Sequence, residues 1–130
     1  MTSRTAARRT AVELLFQADI TGADPADIVA EWTSAGREVP PFSEELVEGV
    51  ADRLHELDRE IGEHAEGWSV SRMTAVDRTI LRVACYEMHH REDVPTGVAI
   101  DEAVRAAKAL STEESGGFVN GILGRIAREG

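Results

Sequence analysis

The chain has one cysteine, no long apolar run and no stretch of sustained two-residue alternation, and each absence excludes a class of protein. Cys85 has no partner for an internal disulfide, so the fold must rest on burial. A chain of this length buries roughly two-thirds of its unfolded surface, enough for stability without disulfide or metal. Cys85 lies in the apolar run 80–85, which favours a small buried thiol over a reactive one in an accessible, electropositive setting. No apolar run is long enough to span a bilayer, and the positively charged N-terminus is followed by no apolar segment of a secretory signal. The expectation is a cytoplasmic protein. Without β-branched alternation there is no candidate strand. No phosphate-binding Gly-rich loop ends in Lys-Ser or Lys-Thr, and no Gly-x-Ser-x-Gly elbow is present.

Positive charge is also scarce. The formal net charge is −10, and residues 1–66 carry fifteen acids against six bases, whereas residues 67–130 carry nine against eight. A field of this sign repels nucleic acid and anionic membranes. The first twelve residues nevertheless contain Arg4, Arg8 and Arg9 with no acid before Glu13. Any contact with RNA is therefore local, made by a basic arm on an acidic body; on charge alone, three solvated arginines explain the same pattern.

What remains reads as helix throughout. A first helix is expected over about 5–20, with Val12, Leu15 and Phe16 on one stripe and Leu14 off it, as in a helix contacted on more than one side. Asp24 and Pro25 start a second, presenting Ile28, Val29 and Trp32 inward, and residues 36–41 form a linker. Ser43 is expected to cap a third helix in which Leu46, Val50, Leu54, Leu57 and Ile61 recur at three- and four-residue steps. A short turn at 71–73 leads to an element over about 75–90 with Val76, Ile80, Val83, Ala84 and Met88 inside. The next helix starts near Thr96 and buries Ile100, Ala103, Val104, Ala107 and Leu110; Ser115 caps the last, lined by Phe118, Val119, Ile122, Leu123 and Ile126. Short connections imply antiparallel neighbours. The expected fold is all-α, about seven helices in two packed subdomains, residues 1–66 and 67–130.

Few residues suggest chemistry. Glu87 and His90 have the Glu-x-x-His spacing of a carboxylate-bridged di-metal centre, and Asp52 with His55 is a near copy. Such a centre needs further acids pointing into the core, and here the acids fall mostly on outer faces; solvated helix-end histidines account better for the pattern. Gly116 and Gly117 precede a helix that could receive a phosphate or simply make a turn. Gly121 and Gly124 lie with Asn120 opposite the apolar stripe, fitting either an approaching flat surface or tight helix packing. Phe118 heads the apolar stripe and reads as core by pattern, although a ring beside two glycines could stack on an unpaired base.

Several blocks together resemble the NusB family of transcription antitermination factors over nearly the whole chain. They are 11–16 (AVELLF), Trp68, 76–82 (VDRTILR), Tyr86 and Glu87, Val94 and Pro95, 99–104 (AIDEAV), Ala107 and Lys108, Ser111, and 118–123 (FVNGIL). The last is the most specific. The resemblance implies two helical subdomains and an RNA-binding protein that performs no chemistry and needs no cofactor or metal. It implies binding to the boxA element of ribosomal RNA leader transcripts as a heterodimer with NusE, a small-subunit ribosomal protein. That complex joins other Nus factors on RNA polymerase and promotes antitermination and ribosomal RNA maturation. By position, the RNA-binding residues implied are Arg4, Arg8, Arg9, Glu114, Gly116, Gly117 and Phe118; the charge of Glu114 should oppose binding. Those implied for NusE are Phe16, Arg72, Asp77 and Arg78. Ala6 and Ala7 interrupt the basic arm, so weak, salt-sensitive binding that NusE completes is expected. A homodimer hiding the RNA face is compatible with the glycine-lined surface. A NusB-like domain also stands at the front of some ribosomal RNA cytosine methyltransferases, but no cofactor-binding domain is present here, so that enzyme is not expected.

Overall fold

The computed structural model describes residues 3–129 and, among these, contains seven α-helices, one 3-10 turn and no strand. The helices are α1 (Arg4–Thr21), α2 (Pro25–Ser34), α3 (Pro41–Asp52), α4 (Leu54–Glu63), α5 (Ala75–His90), α6 (Thr96–Leu110) and α7 (Glu113–Glu129), with the turn at Val70–Arg72. None is long and apolar enough to cross a membrane. Side-chain caps set several starts. Ser3 Oγ accepts from the Ala6 amide, Asp24 from Ala26 and Thr74 from Asp77. Gly22, at φ 75°, closes α1 by donating its amide to the Ala18 carbonyl, a left-handed turn that glycine makes without steric cost.

α5 organises the molecule. α1, α3, α4, α6 and α7 all pack on it, which explains why it buries residues on several faces: Ile80, Leu81, Val83, Ala84, Cys85 and Tyr86. A one-sided stripe, as expected from Val76, Ile80, Val83, Ala84 and Met88, is therefore too narrow; Val76 and Met88 are half-buried at its margin. Leu14 is fully buried because α1 packs on both α3 and α5. Gly49 is required by close approach, since a Cβ there would overlap the Tyr86 ring.

Four local expectations need correction. The single helix expected from Ser43 to Ile61 is two, broken at Arg53, whose φ of −120° and ψ of 22° leave the helical region. Beyond the break Leu57 and Ile61 point inward while Leu54 is exposed. Ser43 is no cap: it lies inside α3, fully buried, and its hydroxyl donates to the Ala7 carbonyl at 2.7 Å. Ser115 likewise sits inside α7, and Thr112 Oγ1 accepts its amide at 3.0 Å in the capping role. In α6, Ala103 and Ala107 are buried but Leu110 is exposed.

Candidate functional site

The two ends of α5 have different chemistry. At its C-terminal end, α1 brings Arg8 inward. The Arg8 guanidinium donates from Nε and Nη2 to the two Glu87 oxygens at 2.8 and 2.9 Å, and its Nη1 lies 3.7 Å from Glu102 on α6. Glu87 is 1% exposed and Arg8 8%. Burial alone would lower the Arg8 pKa, but the Glu87 hydrogen bonds and the Glu87 and Glu102 charges outweigh it and raise the value. Arg8 is thus not part of a solvated arm; it ties α1 to α5 and α6.

Its neighbours divide differently. Arg4 is half-exposed, pairs with Asp93 at 2.7 Å and lies over the Phe42 ring at 4.4 Å. Hydrogen bonds from Arg91 and Arg4 hold the Asp93 carboxyl below the usual carboxylate range. Arg9 is half-buried and has no ion-pair partner among the described residues. Its cation is uncommitted. It lines a shallow groove between α1 and α6 with Thr5, Val12, Ala99 and Ala103.

At the N-terminal end of α5 the surface is left open. Phe16 is half-buried and lines an apolar groove with Val12, Ile20, Trp32, Val76 and Leu110. Ile20 and Leu110 are exposed there, 59% and 40%, and with Phe16 and Val76 make one apolar patch along the groove. Asp77, in the first turn of α5, is buried; its Oδ2 accepts from Ser115 Oγ at 3.2 Å, but Oδ1 has no hydrogen-bond partner. A buried acceptor without a donor is costly. Arg78 is neutralised by Asp19 at 2.7 Å and donates to the Met73 carbonyl, whereas Arg72 is exposed without an ion pair among the described residues.

The rim of α7 lies beside this end. Glu114 and Gly117 are exposed, and Gly117 faces open space. Gly116 is buried against the Lys108 side chain, where a Cβ would come within 2.7 Å of Lys108 Cγ. Phe118 is neither core nor free: half-buried, it leans on the core and meets Trp68 edge-on at 6.0 Å. Trp68 is 51% exposed and extends the aromatic surface. In the sequence Trp68 stands out through the family resemblance; its exposure could be read only from the fold. Gly121 and Gly124 are half-buried, and the nearest atoms to a Cβ there belong to Arg125 and Arg128 of the same helix, so neither marks a helix–helix contact.

Residues for the di-metal pattern do not converge. Glu87 is committed to Arg8, and His90 stacks on Tyr86 at 5.5 Å. The acids-outward pattern fails at Glu87 because Arg8 accompanies it inside. Among the described residues, the donors that do converge are Glu60, Cys85 and His89.

Comparison with known proteins agrees with this architecture. The NusB family model matches residues 5–128. The transcription antitermination protein NusB of Saccharopolyspora erythraea is 47% identical over 131 residues, covering 98% of this chain and 88% of that protein. That of Acidothermus cellulolyticus is 47% identical over 127 residues, covering 97% and 88%. Among solved structures, T. maritima NusB superposes with a TM-score of 0.87 at 37% identity, covering 98% of this chain and 92% of its own. A chain in a crystal structure of antitermination factors NusB and NusE with dsRNA has a TM-score of 0.86 at 26% identity, covering 98% and 97%. With a helical bundle matched from end to end by family model, relatives and solved structures alike, this chain belongs to the NusB family.

Proposed function

We propose that this protein binds the boxA RNA of ribosomal RNA leader transcripts together with NusE, and so promotes antitermination and ribosomal RNA maturation. The observation that carries the reading is the likeness, over nearly the whole of both chains, to a protein solved with NusE and dsRNA. The work is done in the cytoplasm by assembly, without a cofactor, and the complex joins other Nus factors on RNA polymerase. Residues 1–66 and 67–130 serve as two subdomains, the first supplying the arginines and the second the aromatic rim.

On the RNA side, Arg9 and Arg4 contact phosphate, and Phe118 stacks an unpaired base beside Gly116 and Gly117, with Glu114 disfavouring close approach of phosphate. Arg8 contributes by fixing α1 against Glu87. Phosphate contacts position RNA, and stacking adds about 1–3 kcal/mol per base. With α1 offering only two cations on a chain of net charge −10, binding to RNA alone is weak and salt-sensitive. On the NusE side, the partner fills the Phe16 groove, and Asp77, Arg72 and Arg78 flank the contact. A homodimer is the competing occupant of the RNA face and gives way when RNA and NusE bind.

The test separates the two surfaces. Asp77→Lys should abolish detectable NusE binding in calorimetry while RNA binding falls much less. Equal loss of both would contradict the division.

A further inference from the structure

Away from both surfaces, α4 and α5 bring three donors together. One ligand atom each from Glu60, Cys85 and His89 lies within 4.8 Å of the other two. The Cys85 thiol donates to Glu60 Oε1 at 3.0 Å, and His89 Nε2 lies against the same oxygen. Cys85 and His89 are four residues apart on α5, hence on one face of the helix. Glu60 is offered by α4, from across the seam. Sulfur, imidazole nitrogen and a carboxylate oxygen form a donor set that suits a borderline cation such as Zn(II); Mg(II) and Ca(II) prefer oxygen alone.

Geometry and field agree. In a tetrahedral zinc site with bonds of about 2.0–2.3 Å, neighbouring ligand atoms stand roughly 3.3–3.8 Å apart. Reaching that from the present spacing needs only small side-chain shifts, and Glu60 and His89 are partly exposed, with room to make them. Beyond them opens a cleft lined by Glu56, Arg59, Glu63 and His90, which provides entry and space for a water as fourth ligand. Burial, followed by Glu60 and the charges of Glu56 and Asp58, pushes the Cys85 thiol up. The same acids that keep the thiol protonated attract a dication, and coordination would remove its proton.

We propose that Glu60, Cys85 and His89 bind one Zn(II) ion at the α4–α5 seam, bracing α4 on the central helix. On binding, the Cys85 thiol loses its proton to solvent, His89 presents an unprotonated Nε2 and Glu60 its carboxylate, so affinity rises with pH. The di-metal spacing of Glu87 and His90 plays no part.

The test is a Co(II) titration of the full chain, first stripped with chelator. The expected result is a one-to-one species with a thiolate-to-cobalt charge-transfer band and tetrahedral d–d intensity, both abolished by one equivalent of Zn(II). Glu60→Gln and His89→Gln should each weaken binding at least about tenfold, since even outer partners of a metal ligand contribute that much. His55→Gln should leave it unchanged. If Cys85→Ser does not fold, the charge-transfer band of the parent protein still reports the thiolate. Absence of that band at one equivalent of Co(II), or affinity unaltered by both Glu60→Gln and His89→Gln, overturns the proposal.

Discussion

Compare the two ends of α5. At one end Arg8 and Glu87 neutralise each other inside the protein, with Glu102 at their edge; at the other, Asp77 keeps a buried oxygen without a donor and Phe16, Ile20, Leu110 and Trp68 keep apolar surface exposed or half-exposed. The first end is closed in the single chain apart from Arg9, which has no ion-pair partner among the described residues. The second is not, and its exposed apolar surface matches what a protein partner and an unpaired base provide. Charge and burial therefore divide the molecule into a sealed end that maintains the fold, with Arg4 and Arg9 left at its surface for phosphate, and an open end whose apolar surface is left to bind.

The largest effect should come from breaking the sealed end. Glu87→Ala leaves the buried Arg8 guanidinium without its bidentate partner and with only Glu102 at 3.7 Å, and should cost about 3–5 kcal/mol in urea unfolding. The double change Arg8→Met, Glu87→Leu should recover much of that loss, because an apolar pair needs no compensation. A loss under about 1 kcal/mol in the single variant would show that the sealed end contributes little to stability, on the scale of an exposed pair.

A smaller effect, and one on binding, is expected at the open end. Phe118→Ala should weaken RNA binding by about 1–3 kcal/mol, the usual contribution of one stacked base, with a modest loss of stability because the ring is only half-buried. Severe unfolding with no separable effect on RNA would return Phe118 to the core.

The smallest effect sharpens the contrast between adjacent arginines. Arg9→Ala should lower the slope of log affinity against log salt by about one and leave stability nearly unchanged. Arg8→Ala should instead destabilise the fold by stranding Glu87. If both variants flatten the salt slope equally without unfolding, the basic residues act as a simple arm after all.

These contrasts explain what was legible in sequence. The helices and most inward positions followed from apolar spacing, because a helix on a core must repeat every three or four residues. The break at Arg53 did not, since the spacing of Leu46, Val50, Leu54, Leu57 and Ile61 runs through it unchanged. Leu54 turns outward only because α4 takes a new course. Arg8 was misjudged as solvated because a charged residue defaults to the surface, and its partner Glu87 lies 79 positions away. Phe118 fell between the two readings: apolar spacing placed it inside, family resemblance placed it outside, and a half-buried ring against an exposed Trp68 satisfies part of each. Cys85 was legible as buried, but the approach of Glu60 from another helix was not. Contacts across elements are what spacing along one element cannot carry.

The most direct test of the central claim is a titration of boxA RNA and a scrambled control against this protein, with and without NusE, at several salt concentrations. Weak, salt-sensitive binding alone, with markedly tighter and boxA-selective binding once NusE is present, is the predicted result. Equal affinity for boxA and scrambled RNA with NusE bound would contradict it.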